Sequence, residues 1–168
     1  TGSLGVLNDS ATVSAATGSY LLGYVLSGNS AVVNASGVVD VASEGPNGLT
    51  VIGNRNNVLL TNANILGSIS GTGSNNIVTI SGGNLGSNIT MGGSGNTVTL
   101  NSAVLASNLT MADSSSANTL QLQNQSMAIG AAGPGQTAVT NWNRISVTSN
   151  TALSLNGNLA LGGTNSIL

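Results

Sequence analysis

Apolar and polar residues alternate in four short segments in the middle of the chain, each of which begins with an asparagine. Each segment reads Asn-x-apolar-x-apolar, and the starting residues Asn56, Asn76, Asn96 and Asn118 are 20, 20 and 22 residues apart. Alternation with a period of two is typical of a strand that buries one face. The pattern therefore predicts one such strand in every repeat.

The inner positions of these four segments are predicted to form two columns in a core. If the repeats stack as parallel coils, each inner side chain packs against its equivalent in the next coil. The asparagines are expected to occupy corners, where Asn tolerates the left-handed backbone conformation, and to hydrogen-bond from coil to coil. The two predicted columns are Val58, Val78, Val98 and Leu120, and Leu60, Ile80, Leu100 and Leu122.

Two further apolar positions recur in each repeat and predict a second and a third strand. Gly, Ser and Asn residues lie between these positions and favour tight turns. The sequence thus predicts an all-β parallel solenoid with about three short strands per coil of ~20 residues; roughly eight coils would give a rod about 40 Å long. The recurring apolar residues are Ile65, Leu85, Leu105 and Met127, followed by Ile69, Ile89, Leu109 and Ala131.

The flanks of the repeat are less regular, and we expect a single solenoid over residues 1–168. Residues 1–37 are expected to be irregular, with 21–26 packing across the end of the rod or forming an irregular first coil. The remaining chain is expected to divide into regular coils at 38–131, a projecting loop at 130–141 and further coils at 142–168. Solenoids need capped ends, and none is visible at the C-terminus, so we expect a section of a longer rod.

Composition narrows the classes of partner. Charged residues make up 4% of the chain, the net charge is −2, and Arg55 and Arg144 are the only basic residues. Binding to nucleic acid or to an anionic membrane surface needs clustered Lys or Arg, so the composition argues against both kinds of partner. Hydrophobic residues reach 40%, which is more than a disordered chain of low charge would carry.

The C-terminal part of the chain resembles a known family. Residues 141–147, in which Trp142 precedes a short strand, and the run Leu-Ser-Leu-Asn-Gly-Asn-Leu at 153–159 are similar to passages in passenger domains of Gram-negative autotransporters. The Asn-x-Val-x-Leu repeats from Asn56 onward resemble the same family. This resemblance implies a right-handed parallel β-helix that is exported to the cell surface or released. It also implies an upstream signal peptide and a downstream outer-membrane β-barrel in the full-length chain.

The same resemblance implies a function in adhesion, autoaggregation or biofilm formation, as for a virulence-associated adhesin. The expected partners are copies of the same protein on other cells, or a host or abiotic surface presenting protein or glycan. Thr79, Thr99 and Gln121 are predicted to point outward on consecutive coils and are the candidate surface contacts. The run of threonines is interrupted after two members, so it does not predict ice binding.

The sequence offers little for catalysis, and we expect no enzymatic activity, metal or cofactor. There is no His for a catalytic triad and no Cys for a thiolate site. The acids are Asp9, Asp40, Glu44 and Asp113. Glycoside hydrolysis needs two carboxylates on opposite sides of a bond, whereas Asp40 and Glu44 are expected to span a turn.

Two other functions share the predicted fold. A carbohydrate-active lyase or hydrolase on a β-helix would need a groove with at least two acids and a basic residue. A segment of a phage tail fibre or tail spike would need to form a trimer. The three aromatic residues, Tyr20, Tyr24 and Trp142, are expected to pack near the end of the solenoid or over a coil rather than to stack on sugars.

Overall fold

The computed structural model of this chain describes residues 9–40, 47–131, 133–157 and 159–163. Within these ranges the regular structure consists of β-strands, with no helix. The strands pair in parallel and stack into three sheets around one core, which confirms the predicted all-β solenoid with about three short strands per coil. The strands are β1 Thr12–Ala15, β2 Tyr20–Leu22, β3 Tyr24–Leu26, β4 Val32–Ala35, β5 Val38–Asp40, β6 Asn47–Val51, β7 Asn57–Thr61, β8 Asn64–Ile65, β9 Ser68–Gly71, β10 Ile77–Ser81, β11 Asn84–Leu85, β12 Ile89–Met91, β13 Thr97–Asn101, β14 Val104–Leu105, β15 Leu109–Asp113, β16 Thr119–Gln123, β17 Ser126–Ile129, β18 Thr137–Thr140, β19 Arg144–Thr148 and β20 Ala152–Leu155.

One sheet runs through the whole described rod. It has seven strands in the order β1-β4-β7-β10-β13-β16-β19. Equivalent positions recur after 20, 25, 20, 20, 22 and 25 residues, so three of these six intervals are longer than twenty. The prediction of eight coils is therefore wrong. Six intervals between strands at about 4.8 Å each give a length of about 29 Å.

The other two sheets complete the wall. A five-stranded sheet has the order β14-β11-β8-β5-β2, and an eight-stranded sheet has the order β20-β17-β18-β15-β12-β9-β6-β3. Each regular coil contributes one strand to each sheet, as β10, β11 and β12 do in the fourth coil. In these regular coils, consecutive strands along the chain thus belong to different sheets, and hydrogen bonds between strands join one coil to the next.

The core consists of aliphatic columns that run along the rod. Val58, Val78, Val98 and Leu120 lie in register on neighbouring strands, and all four side chains are fully buried. The column from Leu60 to Leu122 is buried in the same way. Burying one such side chain stabilises the fold by about 1.5–3 kcal/mol. Because each inner side chain is covered by its equivalents in the adjacent coils, a coil obtains this stabilisation only from its neighbours.

The register of the third strand differs from the prediction. Leu109 was expected to be equivalent to Ile89, but Ile89 pairs with Met111 because the fifth coil is two residues longer. Ala131 does not lie in a strand. Its expected place in the eight-stranded sheet is taken by β18, in which Val139 pairs with Met111.

The N-terminal part is more regular than predicted. Within its described portion, the segment 21–26 contributes to β2 and β3, which are strands of the first coil. Tyr24 is buried there, while Tyr20 is exposed on the outside of β2. Trp142 is fully buried, and its Nε1–H donates a hydrogen bond to the carbonyl oxygen of Met111 at 3.0 Å. Glu44, Leu168 and the Asn158 of the family-like run lie outside the described residues.

The sixth coil departs from the pattern of the others. Part of the segment predicted as a loop, residues 137–140, is the strand β18. Thr137 pairs with Leu109 on one side and with Ile129, the last residue of β17, on the other. Since β18 lies between β15 and β17, β17 is one row further along the rod than a regular coil would place it. The five-stranded sheet ends at β14 for this reason.

Candidate functional site

The recurring asparagines lie at a buried corner between the eight-stranded and the seven-stranded sheets. Asn56, Asn76, Asn96 and Asn118 are each at most 1% exposed. None of them has a positive φ; the left-handed residue comes directly before the first three, as in Arg55 (φ 57°) and Asn75 (φ 56°), and two residues before Asn118, at Ser116 (φ 55°). The prediction that these asparagines themselves adopt the left-handed conformation is therefore wrong.

These four side chains form a ladder of hydrogen bonds from coil to coil, which we call the buried asparagine ladder. The Oδ1 of each accepts the backbone N–H of its equivalent in the preceding coil. Asn76 accepts from Asn56 at 2.9 Å, Asn96 from Asn76 at 2.8 Å, and Asn118 from Asn96 at 2.8 Å. The side chains thus bind backbone N–H groups, not one another as in an amide stack. A buried backbone donor left unpaired is costly, and the ladder satisfies one per coil.

Asp113 ends the buried asparagine ladder. Its carboxylate is fully buried and accepts hydrogen bonds from Ser115 N–H (2.9 Å), Ser115 Oγ (2.6 Å), Ala117 N–H (2.9 Å), Asn118 N–H (2.8 Å) and Asn118 Nδ2 (2.9 Å). Burial by itself raises the pKa of Asp113, but the hydrogen bonds from Ser115 and Asn118 outweigh it and lower the pKa from 3.8. The sequence offered no signal for this role beyond an acid five residues before the last ladder asparagine.

The amide nitrogens of the ladder are not equally satisfied. Nδ2 of Asn96 donates to the carbonyl oxygens of Gly73 and Gly92, both at 2.8 Å. Nδ2 of Asn56 and of Asn76 is buried without a hydrogen-bond partner among the described residues. The ladder asparagines thus all accept a backbone N–H through Oδ1, but they differ in whether Nδ2 donates a hydrogen bond.

A second, exposed ladder lies at the neighbouring position of the same corner. Asp9 Oδ1 accepts the N–H of Asn29 at 2.7 Å, Asn29 Oδ1 accepts that of Asn54 at 2.8 Å, and Asn54 Oδ1 accepts that of Ser74 at 2.8 Å. It runs in the opposite direction, because here the acceptor belongs to the earlier coil. Sequence analysis missed these residues; the recurring Gly-Asn and Gly-Ser pairs directly before each left-handed residue would have indicated them.

The candidate contact residues lie on the outer face of the seven-stranded sheet. Thr79, Thr99 and Gln121 occupy equivalent positions on consecutive strands, with Leu59 before them and Ser146 after them. Thr79 and Gln121 are partly exposed, but Thr99 is only 7% exposed. The Thr99 hydroxyl donates to Gln121 Oε1 at 3.2 Å, so Thr99 presents much less to the surroundings than its two neighbours.

This outer face is nearly without charge. Among the outward positions of β7, β10, β13, β16 and β19, Arg144 is the single ionisable side chain. Seven strands spanning about 29 Å, and five residues at about 3.3 Å each, give a face of roughly 480 Å². Its other side chains are mainly Thr, Ser, Asn and Gln, and its apolar members are the exposed Ile77 and the partly exposed Val32 and Leu59.

The described residues show no constellation for catalysis or for metal binding. Asp113 and Asp9 are acceptors in the two ladders, Asp40 lies at the end of β5, and Glu44 is outside the described residues. Within the described ranges no group of three or more His, Cys, Asp or Glu residues could hold a metal ion. The same ranges contain no helix with the length and apolar character needed to cross a membrane.

Comparison with known proteins leaves the chain without an assigned family. No protein-family model, no curated protein and no solved structure matches this sequence or its fold. What the rod does must therefore be argued from its own surfaces.

Proposed function

We propose that this chain is a section of an extracellular, non-enzymatic rod of the autotransporter passenger type, which promotes adhesion, autoaggregation or biofilm formation at a bacterial surface. The observation that carries the proposal is the outer face of the seven-stranded sheet. It is broad, built on a rigid scaffold, rich in hydroxyl and amide groups, and carries one ionisable side chain, Arg144. The sequence resemblance to passenger domains supports the same function.

The chemistry of this face favours contact between like surfaces. Like charges that face each other disfavour contact between two identical surfaces. Because this face carries a single ionisable side chain, two copies that approach through it meet almost no charge repulsion. Hydroxyl and amide side chains both donate and accept hydrogen bonds, so the face is complementary to a second copy of itself and to glycans. The two acids of the ladders are held at the corner, away from the strands of this face.

The size of the face determines how strong one contact is. A stable protein interface buries about 800 Å² on each partner, and this face offers roughly 480 Å². One section of rod therefore binds weakly. Many copies displayed on one surface raise the overall avidity by about 10²–10⁴ without any new contact. Adhesion between cells or to a surface is a function that weak, repeated contacts can perform.

The test compares the native chain with two charge variants on coated beads. The 168-residue chain is coupled to beads at controlled density, and clustering is measured by light scattering. Thr79→Glu places a negative charge in the centre of the face and should abolish clustering. Thr90→Glu, at an exposed outward position of β12 on the eight-stranded sheet, adds the same charge elsewhere and should cluster like the native chain.

The controls separate self-association from attachment to other surfaces. Coated beads are also settled onto glass and onto immobilised glycan. If native beads neither cluster with one another nor adhere to either surface more than uncoated beads do, the proposal is wrong. Equal clustering by the Thr79→Glu and native chains would show that another face makes the contact.

A further inference from the structure

The wall of the solenoid contains a slot that is one strand wide. The five-stranded sheet ends at β14, and β17 of the next coil lies one row further away because β18 occupies the row between β15 and β17. Between β14 and β17 is a cavity of about 450 Å³, which lies within the range of about 300–1,000 Å³ for ligand sites. Its long walls are the facing edges of these two strands.

One end of this slot already holds an amide that stands in for a peptide group. The side chain of Gln125 is only 3% exposed and lies beside Ala103. Its Oε1 accepts the backbone N–H of Ala103 at 3.0 Å, and its Nε2 donates to the carbonyl oxygen of Ala103 at 2.6 Å. A strand running alongside would satisfy the same two groups of Ala103 with its own backbone. At this end of the slot edge, both backbone groups of one residue are therefore already satisfied by an amide.

The next equivalent position on this edge is open. The N–H groups of Val104 and Ala106 point back to the fourth coil. Val104 N–H donates to the carbonyl oxygen of Gly83 at 2.9 Å, and Ala106 N–H donates to that of Leu85 at 3.0 Å. Because successive residues of a strand turn their backbone groups to opposite sides, the N–H and C=O of Leu105 point into the slot. On that side β14 has no neighbouring strand, because β11 is its one partner among the described strands of the five-stranded sheet. Backbone groups along a strand edge are normally paired where they are buried.

We propose that this slot is a binding site for a short, uncharged, extended peptide segment that inserts as the missing strand between β14 and β17. The donor and acceptor of Leu105 repeat the pair that Gln125 satisfies at Ala103, and only a peptide backbone continues that spacing along the edge. The lining residues carry no ionisable group, so the contacting part of the peptide is uncharged. The far end is lined by the small residues Ala106, Ser107 and Gly135, and there the Ser107 hydroxyl accepts the N–H of Gly135 at 3.4 Å.

The proposal does not depend on the adhesive function and is tested separately. The probe is acetyl-Gly-Gly-Asn-Leu-Gly-amide, which copies residues 82–86, the chain around β11 in the same sheet one coil before β14. Added to the ¹⁵N-labelled 168-residue chain, it should slow hydrogen exchange of the Leu105 amide at least tenfold. The Leu85 amide, already paired, should not change. The same peptide with N-methyl groups on Asn and Leu lacks the donors for the walls and should have no effect.

Three results would contradict binding of a peptide strand in the slot. If millimolar peptide leaves exchange at Leu105 unchanged, or if the N-methylated peptide protects it equally, the slot does not bind a strand. Protection by N-acetylglucosamine as strong as that by the peptide would show a general amide site and would also overturn the proposal.

A variant of Gln125 extends the test along the slot. Gln125→Ala uncovers the N–H and C=O of Ala103, so a seven-residue peptide copying residues 81–87 should bind at least threefold more tightly than it binds the native chain. Unchanged affinity in a folded variant, checked by the near-ultraviolet circular dichroism of Trp142, would contradict strand insertion along β14. If the variant does not fold, the measurement on the native chain decides.

Discussion

The carboxylate of Asp113 replaces the next asparagine as the partner of Asn118. In the three preceding coils, the backbone N–H of the ladder asparagine donates to an asparagine side chain of the following coil. At Asn118 the N–H donates instead to Asp113 Oδ2 at 2.8 Å, and Nδ2 donates to Oδ1 at 2.9 Å. A residue of the preceding turn thus closes the ladder.

Replacing this carboxylate by an amide should destabilise the rod. In Asp113→Asn one acceptor oxygen becomes an NH₂ group, which faces the N–H donors of the turn at 115–118. We expect a loss of about 1–3 kcal/mol in the free energy of unfolding, the cost of leaving buried polar groups unpaired. Urea denaturation followed by the fluorescence of Trp142, the only tryptophan, measures it. Asp9→Asn removes the same charge at an exposed residue and should cost less than half as much.

The same carboxylate should make stability depend on pH in the acid range. The folded pKa of Asp113 is lowered from 3.8, so the unfolded chain binds the proton more readily. The stabilisation is therefore complete well above pH 3.8 and is lost as the pH falls through the folded pKa. The urea midpoint should be constant between about pH 5 and 7 and fall below about pH 4. A flat midpoint down to pH 2.5 in the native chain, or an undiminished fall in Asp113→Asn, would contradict this assignment.

The ladder asparagines should differ in their contributions to stability. Asn96→Ala removes an acceptor for Asn76 N–H and two donors that satisfy Gly73 and Gly92. Asn76→Ala removes one acceptor and a buried amide nitrogen that has no partner. We therefore expect Asn96→Ala to be more destabilising than Asn76→Ala by about 1–2 kcal/mol. Equal losses in urea denaturation would mean that the amide donors contribute nothing.

A close approach of backbone at the corner requires glycine. A Cβ at Gly73 would overlap the carbonyl oxygen of Gly53 and lie 2.5 Å from that of Ile52. Because both atoms belong to backbone that pairs in the neighbouring coil, Gly73→Ala should cost about 2–4 kcal/mol, in the range of other core overpacking and strain. Gly133→Ala is the matched control, since its Cβ would meet nothing nearer than 3.6 Å. Thermal unfolding monitored by circular dichroism distinguishes the two.

Relief of backbone strain should stabilise the chain at Arg55. This residue has φ 57° and is exposed at the corner, where the left-handed conformation costs most residues about 1–2 kcal/mol. Equivalent corners use Asn75 and Gly95. Arg55→Asn should therefore raise the free energy of unfolding by about 0.5–1 kcal/mol. Arg144→Asn removes the other cation from a strand and should give no such gain.

The strand columns could be predicted from the sequence because one periodicity determines them. Val58, Val78 and Val98 alternate with polar neighbours at a constant offset, and only parallel stacking buries them all. The corner asparagines were recognised from the same offset. Their geometry was not, because the intrinsic tolerance of Asn for the left-handed conformation competes with its ability to accept a buried backbone hydrogen bond, and here the second determines its place.

The features that sequence analysis missed depend on contacts between different coils. The sequence around Asp113 does not indicate that this carboxylate, rather than an asparagine side chain of the next coil, accepts the N–H of Asn118. The two extra residues of the fifth coil moved Met111 into register with Ile89, a shift that a constant offset cannot predict. Similarly, the strand β18 follows a glycine-rich segment that is typical of a loop, and its pairing with β15 became visible only in three dimensions.

The interrupted sheet also has a mechanical consequence. Between the fifth and sixth coils, the seven-stranded sheet is bridged by the full pairing of β13 with β16, and the eight-stranded sheet by that of β15 with β18. On the third side no strand of the described chain continues the sheet beyond β14, and the gap is bridged by the side chain of Gln125 and by the Ser107 hydroxyl, which accepts the N–H of Gly135 at 3.4 Å. The rod is therefore less stiff on that side at this level. A bending load opens or narrows the slot there before it disrupts either of the other two walls.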